Sequence, residues 1–157
     1  MTDKDILDWI HHSSPTIEQQ LRRWLEEILE NGRNSSEFAR GVVLYDRYQL
    51  ALLRPYTNNY HKDFCLSICS VQLPDEIQGN GWFKSFLKLC CEINPWQDVI
   101  LEDVGNKHLL SFCKRNNFQV LDSYYKTTYV VNKQAVMNLM TKPLGRYNDY
   151  LTLNKSE

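Results

Sequence analysis

No stretch of the chain approaches the roughly 20 consecutive apolar residues that a membrane-spanning helix requires. The opening Met1-Thr2-Asp3-Lys4-Asp5 is acidic, whereas a secretory leader is basic and then apolar, so the expected location is the cytoplasm. Charge of either sign is not in excess. The formal net charge is -1 with both signs spread throughout, which leaves no basic field to argue for a nucleic acid or an anionic membrane as partner. The 5 cysteines include no Cys-x-x-Cys pair, so neither a disulfide framework nor a zinc site is indicated and reduced thiols in a core are expected. Internal repeats, low-complexity tracts and linkers are also missing. With 157 residues, 43% of them hydrophobic, the chain suits one domain spanning 1–157.

What is present is a strand, a glycine turn and a helix start within Ser67 to Leu87. Phe64 to Val71 is apolar or small on both faces, as in a strand covered on both sides, and Pro74 ends it. From Trp82 the apolar residues Trp82, Phe83, Phe86, Leu87, Leu89, Cys90 and Ile93 form a helical stripe opposite Lys84 and Lys88. Between them Gln78-Gly79-Asn80-Gly81 has the freedom for positive φ and no Cβ at two positions. Backbone N–H groups there would face outward at the positive end of a helix dipole, which suits a pyrophosphate; a plain tight turn is the alternative.

Around this stretch the N-terminal part, 1–32, reads as helical. Asp3 to Ile10 is one helix, and Ser14-Pro15 offers an N-cap and a first helical proline for a second. Its apolar face is Ile17, Leu21, Trp24, Leu25, Ile28 and Leu29, and Asn31-Gly32 is its stop. His11-His12 point to different helix faces and read as a helix junction in preference to a metal site. Phe38 to Tyr45 and Tyr48 to Arg54 suggest a hairpin, with a polar loop from Tyr56 to Lys62. Val99 to Val104 predicts a further strand, Gly105-Asn106 a turn, and Lys107 to Asn116 a helix. Strands at Phe118 to Asp122 and Thr127 to Val131 and a short helix at Gln134 to Met140 complete the pattern. The tail, 142–157, carries Pro143, Gly145 and scattered polar residues, and its end is expected to be mobile unless docked.

The order of these elements and their turn chemistry resemble the GCN5-related N-acetyltransferase (GNAT) family, especially short members often encoded by bacteriophages. In that family Gln/Arg-x-x-Gly-x-Gly/Ala cradles the pyrophosphate of acetyl-coenzyme A. The matching positions here are Gln78, Gly79, Asn80, Gly81, Trp82 and Phe83, with Phe83 departing from the small residue of the family. The later Asn–helix–Gly-Phe segment matches with Asn106 first and Phe118 twelve residues on, Asn117 replacing glycine. Asn tolerates the left-handed conformation at a helix C-terminus, so that exchange is mild. The resemblance covers 64–131 and implies an α/β (α+β) fold with a mixed, mostly antiparallel central sheet flanked by helices. It further implies an acyl-coenzyme A dependent N-acyltransferase that uses acetyl-CoA as co-substrate and a primary amine as acceptor, in a bacterial host's cytoplasm if phage-encoded. Monomer and homodimer both remain open. The N-terminal helices and the 56–62 loop occupy the places where the family builds its acceptor pocket.

Such a transfer needs a deprotonated amine, a polarised thioester carbonyl and a proton for the departing thiolate. Glu102, near the end of the Val99 to Val104 strand, is the candidate base; its alternative role is to pair with a lysine or cap a helix. Asp103 would face the other side of a regular strand, and Glu76 is a weaker base candidate that also suits a helix N-terminus. The family's proton donor is a tyrosine seven residues after the motif asparagine, a position held here by Cys113, which reads either as a thiol donor or as inert helix packing. Tyr124 or Tyr125 are substitutes for it, or else sheet packing. Backbone N–H groups near Val71 to Leu73 would polarise the carbonyl and bind the pantetheine if the family's strand bulge is present. A catalytically silent GNAT-fold binding or regulatory protein is the alternative reading.

Overall fold

The computed structural model describes residues 3–30, 41–46, 49–56, 65–121 and 126–151. Helix α1 (Asp3–Ser13) and helix α2 (Ile17–Glu30) open the chain. The cap between them differs from the sequence expectation. Ser14 has φ +45 and lies outside the helix, and Thr16 caps α2: its Oγ1 accepts from Gln19 N–H at 3.1 Å, while Gln19 Oε1 accepts from Thr16 N–H at 2.8 Å. This reciprocal box leaves Pro15 one position before the cap, where it does not interrupt the ladder. The buried face of α2 is Ile17, Leu21, Trp24, Leu25 and Ile28 with Gln20 among them. Gln20 is satisfied there: its Nε2 donates to the carbonyls of Pro15 (3.1 Å) and Tyr45 (2.7 Å), and its Oε1 accepts from Tyr45 N–H (2.9 Å). That clamp fixes α2 on the sheet. The expected helix stop at Asn31-Gly32 lies outside the described residues.

Six strands form one mixed sheet in the order β1-β2-β3-β4-β6-β5. They are β1 (Val42–Asp46), β2 (Gln49–Tyr56), β3 (Cys65–Gln72), β4 (Val99–Leu101), β5 (Gln119–Val120) and β6 (Tyr129–Val130). Every pairing is antiparallel except β3 with β4. The mixed, mostly antiparallel sheet flanked by helices is therefore present, although β1 to β6 are shorter or shifted at their ends. The chain between β3 and β4 is helix α3 (Trp82–Ile93), the crossover that a parallel pair requires. Helix α4 (Lys107–Arg115) and helix α5 (Lys133–Met137) follow, and α3 packs against α5. Leu66 and Ile68 of β3, Ile100 and Leu101 of β4, and Trp82, Phe86, Leu87 and Cys90 of α3 are almost wholly buried in the core. Burying each large apolar side chain contributes roughly 1.5–3 kcal/mol, so the β3–α3–β4 unit that carries the glycine turn is well anchored.

Two strand ends depart from expectation in ways that shape the site. The strand expected over Val99 to Val104 ends at Leu101, because Asp103 takes φ +50 and the chain turns away toward β6. Val104 N–H then donates to Thr127 C=O at 2.8 Å, and Thr127 Oγ1 donates to Asp103 Oδ1 at 3.3 Å. The expected opposite-facing orientation of Asp103 thus has no strand to define it. The tail is docked as far as Leu151, with Tyr147 and Tyr150 buried, and its end, 152–157, lies outside the described residues. Among the described residues no helix is long and apolar enough to cross a membrane.

Candidate functional site

Leu66 N–H bonds Asp98 C=O at 2.9 Å, and Glu102 N–H bonds Ile68 C=O at 3.0 Å, so the even-numbered groups of early β3 face β4. The Glu102 bond is the last rung. Beyond it β4 departs while β3 continues to Gln72 with partners on β2 alone, and the parallel pair opens like a wedge. Within β3 the register against β2 slips, Leu53 facing Ile68 and Leu52 facing Ser70, which makes Cys69 the extra residue of a bulge. The slip inverts the alternation. Ser70 and Gln72 then share the β2-bonding positions, and the backbone of Val71 turns toward the opened side, with Leu73 next in phase. The bulge that was needed for Val71 and Leu73 to serve as backbone donors or acceptors is therefore in place.

Past Pro74, a 3-10 turn at Asp75–Ile77 leads into the glycine turn. Gly79 and Gly81 have φ +78 and +92, values that a side chain disfavours, and a Cβ placed on either would meet no atom of the described residues within 4 Å beyond its own chain neighbours. Among the described residues nothing covers the turn. Gly81 is the N-cap of α3 and offers no side chain to its first turn, which leaves that turn to be capped by something else. Gln78 folds its Nε2 back onto Leu73 C=O (2.9 Å) and Asp75 Oδ1 (3.3 Å), and Asn80 Nδ2 reaches Tyr150 C=O at 2.6 Å. Both side chains therefore brace the turn.

The structure separates the remaining sequence candidates. Trp82 is buried and its ring stacks on Phe86 at 4.9 Å, so only its backbone could meet a ligand. Phe83, the departure from a small residue, lays its ring edge-on to Phe112 at 6.4 Å and thus toward α4. Asn106 N-caps α4, its Oδ1 accepting from His108 N–H (2.8 Å) and Leu109 N–H (3.1 Å). Asn117 takes φ +59 after the helix, the left-handed cap expected of it. Glu102 is half-buried at the mouth of the wedge. Tyr124 and Tyr125 lie outside the described residues.

Cys113 is fully buried on α4, and burial pushes its thiol from an ordinary value of 9.0 up to about 11. A thiol that holds its proton more tightly than a departing thiolate does would donate it uphill. Cys113→Ala is expected to lower any transfer rate by less than about tenfold; a loss of several hundredfold in a steady-state assay would promote Cys113 to proton donor.

Sequence reading missed a cavity of about 450 Å³ on the side of the α1–α2 junction, lined by Ile10, His11, Ser14, Pro15, Tyr45, Asp46, Arg146, Tyr147 and Asn148. Asp46 ends β1, at the same end of the sheet as Gln72 and Glu102. Arg146 stands 3.8 Å from the Asp46 carboxylate and donates to Ser14 C=O at 2.7 Å. The one signal of this arrangement in the sequence is the pair Tyr147 and Tyr150, spaced as one face of a short helical turn.

No protein-family model matches the chain, and no curated protein matches it. Among solved structures it is similar to a mutant of the AtaT toxin bound to the C-terminus of the antitoxin AtaR, at 12% identity and a TM-score of 0.46 over 57% of this chain and 61% of that one. The same toxin–antitoxin pair with acetyl-CoA gives 12% identity and a TM-score of 0.44 over 57% and 62%. The KacTA–DNA complex gives 14% identity and a TM-score of 0.48 over 75% and 82%. The match to the AtaT structures spans about three-fifths of their length.

Proposed function

We propose that this protein is an acyl-coenzyme A dependent N-acyltransferase that carries acetyl from acetyl-CoA to a primary amine. The observation that supports it is the wedge between β3 and β4 with an open, side-chain-free turn at the N-terminus of α3 beside it. In this reading the backbone of the Gly79–Gly81 turn and of the first residues of α3 holds the pyrophosphate, assisted by the positive end of the helix. Val71 and Leu73 bind the pantetheine as a strand would, and their N–H groups polarise the thioester carbonyl. Glu102 takes the proton of the amine, directly or through water. The amine would enter from the cavity beside Asp46, between the N-terminal helices and the tail. A catalytically silent coenzyme A binder is the second reading, and the buried Cys113 in the place of a proton donor favours it.

Ligand-induced stabilisation tests both against a protein with no cofactor. A ligand that binds only the native state stabilises it by RT ln(1 + [L]/Kd), about 2.7 kcal/mol at one hundred times Kd. Each kcal/mol moves the melting temperature of a domain this size by roughly 2–4 °C, so saturating acetyl-CoA should raise it by about 5–10 °C. Adenosine diphosphate should give a smaller rise and nicotinamide dinucleotides little. A melting curve unmoved by millimolar acetyl-CoA removes the coenzyme A reading, and turnover with a panel of amines separates the enzyme from the silent binder.

A further inference from the structure

The last described segment, 139–151, lies along α3 and ends against the glycine turn. Lys88 Nζ donates to Leu139 C=O at 3.0 Å and Ser85 Oγ to Lys142 C=O at 2.9 Å, which lays the segment on the helix. It then folds into a 3-10 turn, Tyr147–Tyr150, closed by Arg146 N–H to Asp149 Oδ2 (2.8 Å) and by Gly145 N–H to the Tyr150 hydroxyl (2.9 Å). From there it grips the glycine turn on both flanks. The Tyr147 hydroxyl donates to Glu76 Oε1 at 2.9 Å, and Tyr150 C=O receives Asn80 Nδ2 at 2.6 Å. Glu76 and Asn80 bracket Ile77-Gln78-Gly79, and Ile77, Tyr147 and Tyr150 are all buried. The far end is tied as well, by Arg146 to Ser14 C=O and by Tyr147 N–H to Asp46 Oδ2 at 3.4 Å.

A turn with two glycines has more conformations to lose on binding than one with side chains at those positions, and its own backbone bonds are long, Gln78 N–H to Asp75 C=O and Asn80 N–H to Ile77 C=O both at 3.3 Å. A ligand that requires a fixed array of N–H groups binds more tightly if the array is already ordered. We propose that the C-terminal strap is the positioning element of the phosphate-binding turn, with the Tyr147 hydroxyl and the Tyr150 carbonyl as its two points of hold. Neither group need touch the ligand. This rests on the coenzyme A reading of the turn.

Tyr147→Phe keeps the buried ring and removes only the hydroxyl; Asn80→Ser, at an exposed position, removes the second hold together with the longer bond of the same amide to Glu76 C=O at 3.4 Å. Each is expected to weaken coenzyme A binding by about 5- to 10-fold in calorimetry, the worth of one lost hydrogen bond. In the ligand-free protein, amide hydrogen exchange at 78–81 should quicken by roughly tenfold while exchange at 86–90, inside α3, stays as it was. Unchanged affinity in both variants of a protein that does bind coenzyme A overturns the proposal, whatever the exchange rates. If the unaltered protein binds no coenzyme A, the phosphate reading fails by itself, and exchange at 78–81 still decides whether the strap holds the turn: faster in the variants supports the hold, unchanged overturns it.

Discussion

Replacing Glu102 by Gln should lower turnover by roughly 10²-fold while leaving the affinity for coenzyme A nearly intact, as loss of a general base does. An alkyl amine with a pKa near about 10.4 is almost wholly protonated at neutral pH and must lose that proton before or during attack. In the proposed reaction the half-buried carboxylate of Glu102 receives it. Glu and Gln share a shape, and the hydrogen bond that closes the parallel pair comes from the backbone N–H of Glu102, so the substitution leaves β4 in place. A 10²-fold loss corresponds to about 2.7 kcal/mol of transition-state stabilisation, more than an exposed ion pair supplies. The fall should appear equally in kcat and kcat/KM for the amine. Full activity in the Gln variant would make Glu102 structural.

Gly81→Val is expected to weaken coenzyme A binding by more than tenfold, measured by calorimetry on a variant shown to be folded. At φ +92 a β-branched residue is strained by about 1–3 kcal/mol, so the turn would relax away from its present form. The new methyl groups would also stand over the turn, where no atom of the described residues beyond the chain neighbours lies within 4 Å of a Cβ and where the phosphates are proposed to sit. Gly81 is exposed, and among the described residues the substitution meets no core side chain. Unchanged affinity in the folded variant would end the phosphate-loop assignment.

The parts of this molecule that were legible in the sequence are those set by near neighbours. The β3–turn–α3 unit, the cap by Asn106 and the left-handed Asn117 each follow from residues a few positions apart, and each is found where expected within one or two residues. The Thr16–Gln19 box is local too, but Ser14-Pro15 carries a competing signal, and Ser14 is drawn out of the helix where Arg146 bonds its carbonyl. The bulge at Cys69 depends on the register against β2, which no local pattern encodes. The early end of β4 depends on Asp103 and Thr127 meeting across 24 positions. Least legible was the strap, whose Pro143 and Gly145 look like a loose tail until Tyr147 and Tyr150 find their places against a turn formed much earlier in the chain.

That last arrangement has a consequence for synthesis on the ribosome. The bonds from Asn80 to Tyr150 and from Tyr147 to Glu76 join residues 70 and 71 positions apart, and the one from Arg146 to Ser14 spans 132. Among the described residues the six strands and the five α-helices precede Arg146, so the sheet can form with the glycine turn still unbraced. Contacts this distant form late, after the loop-closure entropy between them has been overcome by the rest of the fold. The turn therefore gains its two outer holds only when residues 146–150 join the fold, and until then it is loose at the one place where a phosphate is proposed to bind.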